Sequence, residues 1–312
     1  MKRAKGKTFL IIAICFVLLL AVAGSMNGGN ESSQNSADKQ ISEVDRKTDK
    51  EISQISSEED NSMDVTDITL SETLLLDESG IRITATGMED GLFGTELKLL
   101  IENNSDTNLT VQARNASVNG YMVDTMMSSD VAAGKKSNDE LTFSTSSLKE
   151  CGIDTFATME FSFHIFTTEG WNDYLDTDII TVETSAADTY IQKYDDEGEI
   201  LYDENGIKIV GKGFSTDDSI FGPGLICYIE NNSGTDITVQ ARDTSVNGFM
   251  IDTTMSQDVI SGKKAITAVT FFDTSLQENG IEDIEEVELS FHIYNMDTWD
   301  TIVDTDSIIV KF

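Results

Sequence analysis

Proline, cysteine, histidine and basic residues are all scarce in this chain of 312 residues. A single proline excludes a proline-rich or collagen-like fibre, and three cysteines with two histidines exclude a disulfide scaffold and Cys/His zinc clusters. Only 21 basic residues oppose 56 acidic ones, so the net charge is −35 and no basic patch is present for nucleic-acid binding. The length allows two or three domains, each large enough to bury a core.

The N-terminus has the pattern of an export signal. Four basic residues fall within the first seven, and residues 8–23 are almost wholly apolar. The run ends in the small-x-small pattern Ala21-Val22-Ala23, at which signal peptidases cut, but an uncleaved signal anchor gives the same topology. The sequence therefore predicts a signal peptide or signal anchor at residues 1–23. Ile14 precedes Cys15 where a small residue is expected, so a lipidated cysteine is excluded.

Residues 24–67 are rich in Ser, Asn, Asp, Glu and Lys and almost devoid of large apolar residues. Such a segment cannot bury enough surface to offset its ordering entropy, which predicts a disordered polar linker. A transient helix over residues 41–55 is the alternative. The expected location is extracellular or at the cell surface, with membrane contact only through the N-terminal segment.

An internal duplication dominates the rest of the chain. Residues 93–183 align without a gap on residues 221–311, with 46 identities in 91 positions. Repeat periods are the most informative sequence signal for architecture. We predict a first repeat at 68–184, a linker at 185–198 and a second repeat at 199–312.

Within each repeat, apolar and polar residues alternate with a period of two, which is typical of half-buried antiparallel strands. The clearest runs in the first repeat are Leu97-Leu99-Ile101, Leu109-Val111-Ala113 and Met159-Phe161-Phe163-Ile165. Seven or eight short strands and one short helix are expected per repeat. The fold class predicted is all-β, with two tandem immunoglobulin-like antiparallel β-sandwich domains.

Turn and helix-end signals occur at equivalent places in both repeats. Asn119-Gly120 and Asn247-Gly248 predict two-residue hairpins, because both turn positions require positive φ. Ser147 and Glu150 predict a capping box, and Gly152 predicts the end of that short helix.

Three local motifs carry a family resemblance: Glu102-Asn103-Asn104-Ser105 at the end of a strand, Ser117-Val118-Asn119-Gly120 at the hairpin, and the Gly134-Lys135-Lys136 turn. With these motifs, each repeat resembles uncharacterised immunoglobulin-like domains of secreted proteins and lipoproteins from Gram-positive bacteria. The resemblance implies an extracytoplasmic β-sandwich and carries over no catalytic residue. The chain departs from those lipoproteins in lacking a usable lipidation cysteine.

No arrangement of residues in the sequence indicates catalysis. His164 and His292 are the only histidines and are equivalent, so neither repeat has a second histidine for a paired metal site. A serine hydrolase needs an activated serine beside the histidine, and no G-x-S-x-G elbow is present. We expect surface histidines on strands, an inward Cys227 in place of Leu99, and a protein that is not an enzyme and has no cofactor.

Two loops combine tryptophan with aspartate. Asp173, Asp176 and Asp178 follow Trp171, and Asp300, Asp304 and Asp306 follow Trp299. Clustered carboxylates are calcium ligands, and an exposed tryptophan stacks on sugars or anchors protein partners. Solvated acidic turns and tryptophans folded over the core are the more frequent outcomes, and these are expected here.

The basic residues of the repeats have simpler expected roles. Arg114 and Arg242 lie outward on matching strands and are expected to pair with carboxylates. The turns Lys135-Lys136 and Lys263-Lys264 are expected to serve solubility and edge protection.

These features predict a non-enzymatic cell-surface binding or structural module. Its expected partner is an unknown cell-wall component or extracellular protein, with divalent cations as a further possibility and no nucleic acid. The alternative is a calcium- or glycan-binding adhesin that uses the Trp/Asp loops.

Overall fold

The computed structural model describes residues 68–215 and 221–312. The signal or anchor predicted at residues 1–23 and the linker predicted at 24–67 lie outside this range. Both repeats belong to one compact unit, Glu59–Phe312. Within the described ranges, no helix is long and apolar enough to cross a membrane.

The described part of the first repeat has eleven strands and one helix. They are β1 (Thr73–Glu78), β2 (Ile81–Asp90), β3 (Gly94–Asn103), β4 (Leu109–Val118), β5 (Tyr121–Met122), β6 (Thr125–Met126), β7 (Ser128–Val131), β8 (Lys135–Ser144), α1 (Thr145–Glu150), β9 (Thr158–Thr167), β10 (Asp173–Asp176) and β11 (Ile180–Glu183).

The described part of the second repeat has the same elements in the same order. They are β12 (Glu199–Glu204), β13 (Ile207–Phe214), β14 (Gly224–Asn231), β15 (Ile237–Val246), β16 (Phe249–Met250), β17 (Thr253–Thr254), β18 (Ser256–Val259), β19 (Lys264–Phe271), α2 (Asp273–Glu278), β20 (Glu286–Asn295), β21 (Thr301–Asp304) and β22 (Ile308–Lys311). The domain boundaries drawn from the sequence stay a prediction.

Each repeat is an antiparallel β-sandwich, so the all-β, tandem immunoglobulin-like fold class is confirmed. In the first repeat, one sheet has the order β1-β2-β3-β8-β6. In the second sheet, β9 pairs with β4, β10 and β11, and β4 also pairs with β5 and β7. The second repeat repeats these pairings with β12–β22.

The apolar residues of the predicted alternating runs form the core. Leu97, Leu99 and Ile101 of β3 are buried and pack with Phe161 and Phe163 of β9 in one hydrophobic cluster. Burying such side chains stabilises the sandwich by about 1.5–3 kcal/mol each. Cys227 occupies the expected inward position of β14 in the second cluster.

A β-bulge interrupts the alternation of β4. The register shifts between Arg114 and Ser117, and Asn115 adopts a φ of 57°. Because the extra residue turns the strand over, Ala116 and Val118 are buried whereas Ala113 is only half-buried. The expected inward run therefore ends at the bulge.

The predicted hairpin is confirmed and the predicted capping box is wrong. Asn119 and Gly120 have φ values of 50° and 88°, and Val118 pairs with Tyr121 across the turn. The N-cap of α1 is Ser144, without a side-chain cap, and Ser147 lies inside the helix. The Ser147 hydroxyl instead accepts from the backbone N–H of Asp124 at 3.1 Å, a tertiary contact that local spacing does not reveal.

The junction between the repeats forms at the first repeat's hairpin. Strand β5 adds to β19 through one parallel bridge between Tyr121 and Lys264. The Lys264 backbone N–H donates to the carbonyl of Gly120 at 2.9 Å, and the Tyr121 ring packs edge-on against Tyr228. Hydrogen bonding thus continues from a sheet of one repeat into a sheet of the next, while the sandwiches keep two core clusters.

The lysine turn of the second repeat lies in this junction, so its expected role in solubility is wrong. Lys263 forms an ion pair with Glu160 of the first repeat, and the Lys264 ammonium lies 4.3 Å from the centre of the Tyr194 ring. Both lysine side chains are largely buried. The sequence does not show which face of one repeat meets the other, and therefore the turn looks solvent-exposed.

The outer face of the β14/β19 sheet, which meets the first repeat, differs from the equivalent face of the β3/β8 sheet; we call these the docking faces. Two pairs that contain a charged residue or an amide in the first repeat are aliphatic or aromatic in the second: Lys98–Glu140 corresponds to Ile226–Ala268, and Leu100–Asn138 corresponds to Tyr228–Ile266. The second repeat thereby lacks the charged and amide groups whose burial at the junction would be costly.

Candidate functional site: two exposed aromatic platforms

The outer face of the β4/β9 sheet holds a row of side chains that recurs in the second repeat. We call it the aromatic platform. In the first repeat it consists of Trp171, Phe166, His164 and Asp176, and in the second of Trp299, Tyr294, His292 and Asp304. The histidine and its aromatic neighbour project from β9 or β20, the aspartate lies on β10 or β21, and the tryptophan precedes that strand.

The tryptophans are exposed, so the expectation that they cap the core is wrong. Trp171 is 76% exposed and Trp299 is 63% exposed. Each ring stacks at 15° on the buried Phe166 or Tyr294, with centroids 5.3 and 5.4 Å apart. Both tryptophans have positive φ, 53° and 64°, which turns the side chain onto the outer face of the sheet.

Each platform contains a histidine–aspartate pair. Nδ1 of His164 lies 2.5 Å from Oδ1 of Asp176, and His292 and Asp304 show the same distance. An ionised carboxylate only accepts hydrogen bonds, so this ring nitrogen carries the proton. The histidines lie on the outer face, opposite Phe163 and its counterpart, as expected. Their side chains are mostly covered, whereas both aspartates are exposed.

This pair lacks a visible nucleophile within the described ranges. The hydrogen bonds shown for both histidines run to aspartate, and none runs to a serine or cysteine. Burial raises the pKa of the Cys151 and Cys227 thiols to about 12, which is opposite to the activation a nucleophilic thiol needs. The arrangement orients the imidazole rather than activating a neighbour.

The acidic loops do not assemble a cation site in the part of the chain that the structure describes. No group of three or more His, Cys, Asp or Glu side chains comes together there to hold a metal ion. Asp176 is committed to His164, and Thr301 replaces Asp173 in the second repeat, so the acidic set is not even shared.

The expectation that Arg114 and Arg242 pair with carboxylates is wrong. Among the described residues, neither Arg114 nor Arg242 shows an ion pair with a carboxylate. Arg242 donates to the side-chain oxygen of Gln240 at 3.2 Å, and both arginines are exposed. Gln112 and Gln240 lie directly opposite the histidines across the strand pair. Sequence reasoning missed the glutamines, although their identity in both repeats at outward positions was a signal.

A cleft of about 1060 Å³ between the repeats is the alternative candidate site. Two of its charged groups have partners inside the protein: Lys212 pairs with Asp195 at 2.7 Å, and Asp154 accepts from the Tyr190 hydroxyl at 3.1 Å. The platforms instead recur in both repeats and leave an aromatic ring face open to solvent, which favours them as the candidate site.

Comparisons with known proteins identify no family for this chain. No protein-family model and no curated protein matches the chain, so the resemblance to Gram-positive immunoglobulin-like domains stays a prediction. Among solved structures, the YadV chaperone matches with 11% identity and a TM-score of 0.23, over 75% of this chain and all of that one. The Salmonella enterica SafA pilin in complex with the SafB chaperone matches with 9% identity and a TM-score of 0.22, over 76% of this chain and 98% of that one. Scores this low carry no argument about fold or function.

Proposed function

We propose that the chain is an extracytoplasmic, non-enzymatic binding module that presents two equivalent aromatic platforms to a cell-wall component or an extracellular protein. The observation that carries the proposal is the exposed tryptophan, held by stacking and by a positive φ, in the same geometry twice. An exposed aromatic ring with a fixed orientation loses little conformational entropy on binding, and such residues dominate binding energy at interfaces.

The junction supports a bivalent mode of binding. Strand β5 continues into β19, and both repeats belong to one compact unit. Because the two platforms belong to one body, the second contact with a repetitive surface becomes intramolecular and avidity follows without new contacts. A glycan is the second candidate ligand, favoured by the histidine–aspartate pair in each platform.

Retention on isolated Gram-positive cell walls tests the proposal. We expect the full chain to be retained, Trp171→Ala and Trp299→Ala each to weaken retention, and the double variant to lose it. Phe93→Ala is the matched control, because it removes an exposed aromatic ring outside the platforms and should leave retention unchanged. Equal retention of the double variant would contradict the proposal, and no retention of the unmodified chain would exclude a cell-wall component as the partner.

A further inference from the structure

The ligand chemistry of the platforms can be narrowed from the groups that border them. We propose that both platforms bind uncharged glycans of gluco configuration, an inference that rests on the function proposed above. The ligand would lay the flat, apolar C–H face of a pyranose on the indole and direct its hydroxyls toward the polar row along β4 and β9.

The aromatic half of the site has the geometry for a flat apolar face. One face of the Trp171 ring is covered by Phe166, and the ring as a whole is 76% exposed. Sugars whose ring hydroxyls are all equatorial present such a face, whereas an axial hydroxyl interrupts it. Tryptophan combines this large apolar surface with an N–H donor at its edge.

The polar half of the site supplies both donors and acceptors, as hydroxyls require. The Arg114 guanidinium only donates, the Asp176 carboxylate only accepts, and the Gln112 amide does both. Arg114 and Gln112 project from the same face of β4, opposite Ser162 and His164 of β9. The second repeat supplies the same set of residue types at the equivalent places.

Charge decides against anionic ligands. The platform of the first repeat contains the Asp176 carboxylate, and the Asp173 carboxylate lies beside it, 4.0 Å from Nε2 of His164, so a polyanion is repelled there. The chain as a whole carries −35 and repels polyanions. A neutral ligand with many hydroxyl groups fits both conditions.

The two repeats share the polar and aromatic side chains of this face. Six positions are identical in both: Gln112/Gln240, Arg114/Arg242, Ser162/Ser290, His164/His292, Trp171/Trp299 and Asp176/Asp304. On the outer face of the opposite sheet, Lys98, Leu100, Asn138 and Glu140 differ in the second repeat, whereas the ion pair of Lys136 with Glu102 recurs as Lys264 with Glu230. Core packing does not require an exposed arginine or tryptophan, so the shared chemistry points to a shared ligand.

Intrinsic fluorescence provides a direct test, because the only two tryptophans of the chain are in the platforms. The full chain is titrated with cellohexaose and chitohexaose. We expect a saturable change in tryptophan emission with both. β-1,4-Mannohexaose, which differs from cellohexaose by an axial 2-hydroxyl, and polygalacturonate should bind at least about tenfold more weakly.

Arg114→Ala combined with Arg242→Ala keeps both fluorophores and should weaken cellohexaose binding about tenfold, the loss expected for charge-assisted hydrogen bonds. Phe93→Ala should bind like the unmodified chain. No response to either oligosaccharide, or equal binding of mannohexaose or polygalacturonate, overturns the inference. Tryptophan-dependent retention on cell walls without an oligosaccharide response overturns the inference alone, and absence of both also excludes a cell-wall component as the partner in the proposed function.

Discussion

Asn103 shows how one side chain fixes the end of a strand. It is completely buried, and its amide nitrogen donates to the carbonyls of Thr107 and Val131, both at 2.8 Å. Its amide oxygen accepts from the backbone N–H and the hydroxyl of Ser105. Asn231 makes the same set of bonds in the second repeat. The Glu-Asn-Asn-Ser motif is therefore explained by structure, because its first asparagine ties β3 to the turn before β4 and to the end of β7.

Replacement of this residue should be costly. Asn103→Ala leaves two carbonyls and one backbone N–H without their partner, so we expect a loss of roughly 2–4 kcal/mol in the free energy of unfolding. Urea denaturation measures it. Asn104→Ala is the matched control, because Asn104 is exposed and should change stability by less than about 0.5 kcal/mol. Equal effects of the two substitutions would show that the buried hydrogen bonds contribute nothing particular.

At the scale of elements, the two Asn-Gly hairpins have the same turn but different surroundings. Gly120 and Gly248 have φ values of 88° and 83°. A Cβ at Gly120 would lie 2.7 Å from the Tyr194 hydroxyl, whereas a Cβ at Gly248 would meet nothing within 4 Å. The Tyr194 hydroxyl donates to the carbonyl of Asn119 at 2.8 Å, so it is held in place there.

Alanine at the two glycines should therefore have unequal effects. Both substitutions place a Cβ at positive φ, which costs about 1–2 kcal/mol. Gly120→Ala must in addition displace Tyr194 from Asn119, so we expect it to destabilise the protein by about 1 kcal/mol more than Gly248→Ala. Thermal unfolding of both variants provides the measurement. Identical losses would mean that Tyr194 does not restrain the hairpin.

At this scale, features that depend on interactions between neighbouring residues are predicted correctly, and features that depend on contacts between distant residues are not. The strand runs, the hairpins and the helix end at Gly152 depend on local pattern and are confirmed, but the described part of each repeat has eleven strands rather than the seven or eight expected, because short strands such as β5 and β6 have only two residues. The capping box failed because the Ser147 hydroxyl is used by Asp124, which lies 23 residues away. The Trp171 loop was correctly singled out, but whether it turns inward or outward depends on Phe166 as a stacking partner, and the sequence shows no orientation.

At the scale of the whole molecule, the junction buries tyrosine hydroxyls that titrate only at high pH. Burial raises the pKa of Tyr121 from 10.0 to about 12, and it also raises the pKa of Tyr228. The neutral phenol is the form stabilised by folding. The contribution of Tyr121 is therefore complete below pH 10 and is lost as pH rises toward 12, because the unfolded chain then binds fewer protons than the folded one.

Alkaline titration should reveal this linkage. We expect the free energy of unfolding to fall between pH 10 and 12, with roughly 2–3 kcal/mol attributable to Tyr121. The measurement is urea denaturation at a series of pH values. Tyr121→Phe should flatten the fall, and the second repeat already has phenylalanine at the equivalent Phe249. If the fall were as steep in the variant, Tyr121 would not be its source.

The difference between the docking faces explains why the second repeat packs against the first through this face. Ile266 belongs to the second repeat but packs against the core cluster of the first, where Val210 and Tyr228 are buried. The equivalent face of the first repeat carries Lys98, whose ammonium pairs with glutamates. The face that carries Lys98 is polar and suits contact with solvent, whereas the face that carries Ile266 is apolar and packs against the first repeat.

Placing the polar residues of the first repeat at the equivalent positions of the second repeat should weaken the contact between the two repeats. Ile266→Asn with Ala268→Glu places an amide and a carboxylate against the Tyr121 hairpin, which loses apolar burial and leaves polar groups poorly partnered. We expect calorimetry to resolve two unfolding transitions where the unmodified chain gives one, and proteases to cut between residues 185 and 198. Ile309→Asn, an exposed position of β22, is the control and should keep the single transition. A single transition in the double variant would mean that the hydrogen bond from Lys264 to Gly120 and the ion pair of Lys263 suffice to couple the repeats. The apolar face would then contribute little to that coupling.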